Sequence, residues 1–121
     1  MKGDLIYLVS PYAKYPHGKE KAFEDICVIA AELISVGYKI YSPIAHTHPI
    51  ALHGKLDAIN HEFWLKFDET MMGVCDSVVV AKMESWEISY GVGEEIKIFT
   101  KAGKPVYYLD PISMKIEGKA K

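Results

Sequence analysis

Two adjacent carboxylates, Glu94 and Glu95, follow the segment Ser89-Tyr90-Gly91-Val92-Gly93. Where a strand turns into a helix, glycines let backbone N–H groups approach a ligand, a hydroxyl adds a donor, and the helix N-terminus favours negative charge. The segment therefore reads as a cradle for an anion, with Ser89, Gly91 and Gly93 as candidate contacts. Two glycines also suit any tight strand-to-helix turn, so Gly-x-Gly alone does not decide the matter. Glu95 is expected in the first turns of that helix, where the dipole lowers a carboxylate's pKa and keeps it ionised. There it is either a nucleophile able to form a covalent intermediate or one of two acidic residues complementing the dipole at a solvated surface.

Other side chains offer further chemistry. Trp86 and Trp64 can stack on a nucleobase; Trp86 is the better placed, whereas Phe63, Leu65 and Phe67 around Trp64 point to packing. His46 and His48, with His53 and His61, invite a metal reading, but alternate histidines supply too few ligands, so no metal and no cofactor are expected. His46 or His48 is read instead as a contact to a base or as a group that orders its loop.

These residues need elements to hold them. Leu5–Val9 is a continuous apolar run closed by Ser10-Pro11 and reads as a strand buried on both faces. Helical spacing from Lys19 to Val36 ends at Gly37, and Tyr38–Ser42 reads as a second strand. Pro43 to about Gly54 reads as a long loop, a candidate lid carrying the histidines, followed by one or two helices to Val74. Asp76–Ala81 is the third strand, a loop runs through Trp86, and Ser89 caps a helix to Ala102 with Gly103 after it. Pro105–Leu109 is the fourth strand, and a fifth is possible near Ile112–Ile116. Alternation of strands and helices predicts an α/β three-layer sandwich with a four- to five-stranded parallel sheet in one domain spanning residues 1–121. In such a sheet the ligand sits beyond the carboxyl ends of the strands, where the segments after Val9, Ser42 and Ala81 converge.

A formal net charge of -2 excludes a strong electrostatic footprint for nucleic-acid polymers or anionic membranes. The basic tail from Lys115 to Lys121 is interrupted by Glu117 and reads as a frayed end. Cys27 and Cys75 lie in apolar runs without Cys-x-x-Cys spacing and read as free thiols of a reducing compartment. The N-terminal apolar run is too short for a signal or a membrane span, so a cytoplasmic location is expected.

Four blocks occur in order: Ile6-Tyr7-Leu8, Asp68 with Asp76 downstream, Ser89-x-Gly91-Val92-Gly93-x-Glu95, and Gly103-Lys104-Pro105-Val106. Together they resemble the nucleoside 2-deoxyribosyltransferase superfamily, including its spacing from nucleophilic glutamate to Gly-Lys pair. The resemblance implies a flavodoxin-like, Rossmann-like sheet of order 2-1-3-4-5 and a homodimer or larger homo-oligomer. It also implies a small-molecule nucleoside or nucleotide substrate and a covalent deoxyribosyl-glutamate intermediate. By the same resemblance Glu95 is the nucleophile, Tyr7 orients it, and Asp68 stands near the departing base as the acid. Without the resemblance, Asp68 reads as a carboxylate on a helix surface.

Ser89 stands where the nucleoside branch carries an aspartate, and the Ser-x-Gly-Val-Gly-x-Glu form is similar to the 2′-deoxynucleoside 5′-phosphate N-hydrolases. A hydroxyl donates to phosphate where a carboxylate would repel it, so 5′-monophosphates are the expected preference. The chain departs from those hydrolases at Ser10-Pro11-Tyr12-Ala13-Lys14-Tyr15, where they carry a Gly- and Arg-rich loop, and at Lys97, where they carry a small residue. Ser10 is the candidate substrate contact of that loop. The expected function is cleavage or transfer of the N-glycosidic bond of a deoxynucleotide or deoxynucleoside; the alternative is a catalytically silent nucleotide-binding module on the same fold.

Overall fold

The apolar run Leu5–Val9 forms strand β1, and Ile6 to Val9 are fully buried in the computed structural model, which describes residues 2–118. Then come α1 (Lys19–Ser35), β2 (Lys39–Tyr41), α2 (Pro43–Gly54) and α3 (His61–Val74). β3 (Ser77–Ala81), a 3₁₀ turn at Trp86–Ile88, α4 (Tyr90–Lys101), β4 (Val106–Leu109) and β5 (Ile116–Glu117) complete the chain order. The sheet order is β2-β1-β3-β4-β5, with β1 parallel to β2 and β3, and β3 parallel to β4. This is the flavodoxin-like arrangement and strand order expected.

The expectation of an all-parallel sheet is corrected at one edge. β5 pairs antiparallel with β4, Tyr108 opposite Glu117 and Leu109 opposite Ile116. The chain reverses there in a tight turn, in which the Asp110 carboxylate accepts from the Ile112 and Ser113 N–H groups and Met114 N–H donates to the Asp110 carbonyl. So short a connection cannot make the crossover that a parallel neighbour needs. Ile116 and Glu117 of the basic tail are therefore paired rather than frayed, while Lys119, Ala120 and Lys121 lie outside the described residues.

Successive side chains of a strand face opposite ways. Ile6 and Leu8 pack with Ile26, Ile29, Ala30 and Leu33 of α1 on one face. Tyr7 and Val9 join Met72 of α3 and Val92 and Phe99 of α4 on the other. That alternation delivers the Tyr7 hydroxyl to the layer holding Asp68 and Glu95.

The expected loop Pro43–Gly54 is a helix. The Ser42 hydroxyl accepts from Ala45 N–H, and Pro43 takes the first helical turn, where its missing N–H costs nothing. Pro49 lies inside α2 without ending it. Residues 61–74 form one helix, started by the Asn60 side chain accepting from Phe63 N–H. Among the described residues no helix is long and apolar enough to cross a membrane.

Candidate active site

Between β1 and β3 the strand order changes direction, the place where open α/β sheets leave a crevice. A cleft opens there, about 690 Å³ with its open mouth included. Ser10 from the end of β1, Asp68 from α3, and Ser89, Gly91 and Glu95 from the start of α4 all line it. Each was named from the sequence, and the fold brings them to one cavity.

Glu95 is buried, and its Oε2 accepts a hydrogen bond of 2.8 Å from the Tyr7 hydroxyl. The Tyr7 ring is fixed between Tyr41 and Phe99, with centroids 5.8 and 5.4 Å away, so the donor is held in place before any ligand arrives. Burial, and then the charges of Glu95 and Asp68, keep the phenol far above its ordinary pKa, so it stays a donor. The expected depressed pKa of Glu95 is corrected. Burial pushes its carboxyl up to about 8; the Tyr7 bond draws it down and the Asp68 charge pushes it further up. Desolvation outweighs the helix dipole because Glu95 lies beyond the first turn of α4, where the dipole fades.

Asp68 is also buried; burial raises it to about 6, with the Tyr7 hydroxyl pulling back. Its Oδ1 has no hydrogen-bond partner among the described residues, and neither has the buried Ser10 hydroxyl. Leaving such groups unpaired costs ~1–3 kcal/mol each. Two of them on the wall of one cavity mark where a polar ligand would be held. The pair Asp68 and Glu95 thus keeps a proton near neutral pH, with Glu95, the partner raised further, held by a fixed phenol.

Ser89 does both jobs open to it: its hydroxyl caps α4 by accepting from Val92 N–H at 3.3 Å, and the residue lines the cavity. Lys97 sits on the solvent face and pairs with Glu94 at 3.1 Å, so the larger side chain does not crowd the cleft. Gly93, Trp86 and His46 are not among the lining residues. Trp86 packs on Tyr108, with centroids 5.6 Å apart, and His46 is exposed beside Tyr41 and Phe67. Trp64 takes the position in the wall expected of Trp86, its Nε1–H donating to the Asp57 carbonyl. Tyr12, His48 and Tyr90 line the cavity too. The signal for Trp64 was present in the sequence, since it precedes Asp68 by one helical turn and so shares its face. No group of three or more His, Cys, Asp or Glu among the described residues is arranged to hold a metal ion.

Fold and cleft together define an open-sheet α/β protein with a buried carboxylate pair at its switch point. The chain belongs to the family described as Domain of unknown function (DUF1937), whose profile matches residues 4–110. That match takes in all of the lining residues named above. No curated protein matches the chain.

Proposed function

We propose that this protein cleaves or transfers the N-glycosidic bond of a 2′-deoxynucleoside, or of its 5′-monophosphate, through a deoxyribosyl ester of Glu95. The observation that carries the reading is the buried hydrogen bond from Tyr7 to Glu95 with Asp68 on the same cavity wall. Glu95 attacks the anomeric carbon as the bond to the base breaks, and Asp68 gives its proton to the base nitrogen so that the base leaves neutral. Water or a second base then attacks the same carbon, the ester bond breaks, and two inversions give net retention. Trp64 offers the aromatic face for the base, and the unpartnered Ser10 hydroxyl a bond to the sugar.

The lining bears on the 5′ end of the substrate. Ser89 and the N-terminus of α4 favour an anion, which is the argument for a monophosphate. Against it, the cavity is lined by three carboxyl groups, Asp68, Glu94 and Glu95, and by no lysine; Lys19 and Lys55 line the adjoining groove instead. The charge balance favours the uncharged deoxynucleoside, in reverse of the preference that Ser89 alone indicates. Two free cysteines suit a cytoplasmic setting, and the half-exposed Phe63 and Phe67 on α3 offer a face for a second copy of the chain.

The test is a panel of deoxynucleosides and their 5′-monophosphates, incubated with and without a second base, with free base and exchanged nucleoside followed by chromatography. Base release or exchange that disappears in Glu95→Gln supports the proposal. Tight binding with no turnover across the panel would leave the silent nucleotide-binding module as the better account.

A further inference from the structure

The steps above leave one partly buried hydrogen-bond chain unused. Tyr12, His48 and Glu20 come from the loop after β1, from α2 and from the first turn of α1, and they meet in a line. The Tyr12 hydroxyl lies 2.6 Å from His48 Nδ1, and His48 Nε2 lies 2.9 Å from Glu20 Oε1. The His48 side chain is 7% exposed and that of Glu20 61%, so the chain runs from the interior to solvent. Half-buried Tyr12 and buried His48 both line the cavity that holds Asp68 and Glu95. Phe23 stacks on the imidazole, with centroids 4.6 Å apart, and Tyr12 meets it edge-on, which fixes the ring plane.

The donors can be assigned by chemistry. An ionised carboxylate only accepts, so the imidazole proton sits on Nε2 and is donated to Glu20. Nδ1 is then an acceptor, and the Tyr12 O–H donates to it. The phenol oxygen keeps lone pairs for a further donor. Burial, with the charge of Glu20, raises the Tyr12 pKa, which keeps the hydroxyl protonated until its oxygen receives a proton from elsewhere.

We infer that Tyr12, His48 and Glu20 form a proton relay that activates the water hydrolysing the Glu95 glycosyl ester. The inference rests on the function proposed above. As water oxygen bonds to the anomeric carbon, the carbon–Glu95 oxygen bond breaks and Glu95 leaves as carboxylate. The water proton passes to the Tyr12 oxygen, the Tyr12 proton passes to His48 Nδ1, and the imidazolium is stabilised by Glu20. The surplus proton then leaves to solvent at the Glu20 end, and Asp68 regains from solvent the proton it gave to the base. Tyr12 is the group that touches the reacting water; His48 and Glu20 act through it. Exchange with a second base needs no such relay, because the incoming N–H proton returns to Asp68. The relay therefore serves hydrolysis and not base transfer.

The experiment measures deoxyribose release and exchange of labelled base side by side in the full-length protein. Tyr12→Phe is expected to slow deoxyribose release about 100-fold while base exchange changes less than about threefold. Glu20→Gln, at an exposed position that threatens folding least, is expected to slow release about tenfold with exchange likewise kept. A loss of both activities in equal proportion, or of neither, overturns the relay. Imidazole ¹⁵N spectra provide a readout without turnover: a proton on Nε2 of His48 supports the chain, and a proton on Nδ1 overturns it. Wild-type protein that neither releases nor exchanges any base overturns the glycosidic reading and the relay's catalytic role with it. Wild-type exchange with unaltered hydrolysis in both variants overturns the relay alone.

Discussion

At the scale of single residues, Glu95 is a group whose usefulness conflicts with stability. Its carboxyl is raised from 4.5 to about 8, so the folded protein holds a proton that the unfolded chain releases in between. Stability from this group therefore falls as pH rises from about 4.5 to about 8 and stays low above that. Glu95→Gln should abolish base release and, in the same variant, raise stability by on the order of 4 kcal/mol at alkaline pH with no gain at acid pH. Thermal melts of both proteins across pH check this, and a uniform shift at all pH values would contradict it. Under the proposed mechanism the pair also sets the pH dependence of catalysis. Between about 6 and about 8, Asp68 and Glu95 hold one proton between them. The proposed mechanism needs that proton on Asp68, the more acidic partner, so the productive form is the minor one of the singly protonated pair. The profile of kcat/KM is expected to be a bell with limbs near 6 and 8, and an activity flat from pH 5 to pH 9 would remove the pair from the mechanism.

At the scale of elements, Lys104 ties the two helices of one layer to the sheet. Its Nζ donates to the carbonyls of Met72, Gly73 and Cys75 at 2.9, 2.8 and 2.7 Å, closing the C-terminal end of α3, and it lies over the Phe99 ring of α4. A cation on the last carbonyls of a helix satisfies acceptors that the helix cannot. Lys104→Met keeps the apolar stem and should cost about 2 kcal/mol in denaturant unfolding. It should also loosen Asp68, which sits on the same helix. Most elements were legible in the sequence because their signals are local: β1 and β3 as unbroken apolar runs, α1 and α4 by the glycines that follow them. α2 was not, because Pro49 and the histidines drew the reading towards a loop, although Ser42-Pro43 is a helix start. The antiparallel β5 turned on hydrogen bonds of Asp110 that no hydropathy pattern shows. Within the site, Tyr7 and Asp68 were named only through the resemblance to the nucleoside 2-deoxyribosyltransferase superfamily, and Glu95 also by its place after the Gly-x-Gly turn. Trp64 was read as packing before stacking and Tyr12 was given no cavity role, because whether an aromatic side chain faces a cavity or a core depends on partners far away in sequence.

At the scale of the whole molecule, the cavity is open on one side, and Phe63 and Phe67 stand one helical turn apart on α3, each 50% exposed. A second copy covering these rings is the expected assembly, and Phe67→Glu should shift sedimentation towards monomer. A wild-type protein that sediments as a monomer at micromolar concentration and still turns over would rule that assembly out. The bond from Tyr7 to Glu95 joins residues separated by 88 positions, across a sheet in which β1 lies between strands that follow it in the chain. Pairing so distant must wait until the intervening segments have found their places, which makes it slow to form. In a refolding experiment the helical signal should return well before the ability to bind a nucleoside. A newly made chain would then pass through a stage in which it has most of its shape but no working centre, and a ligand present at that stage could not speed its completion.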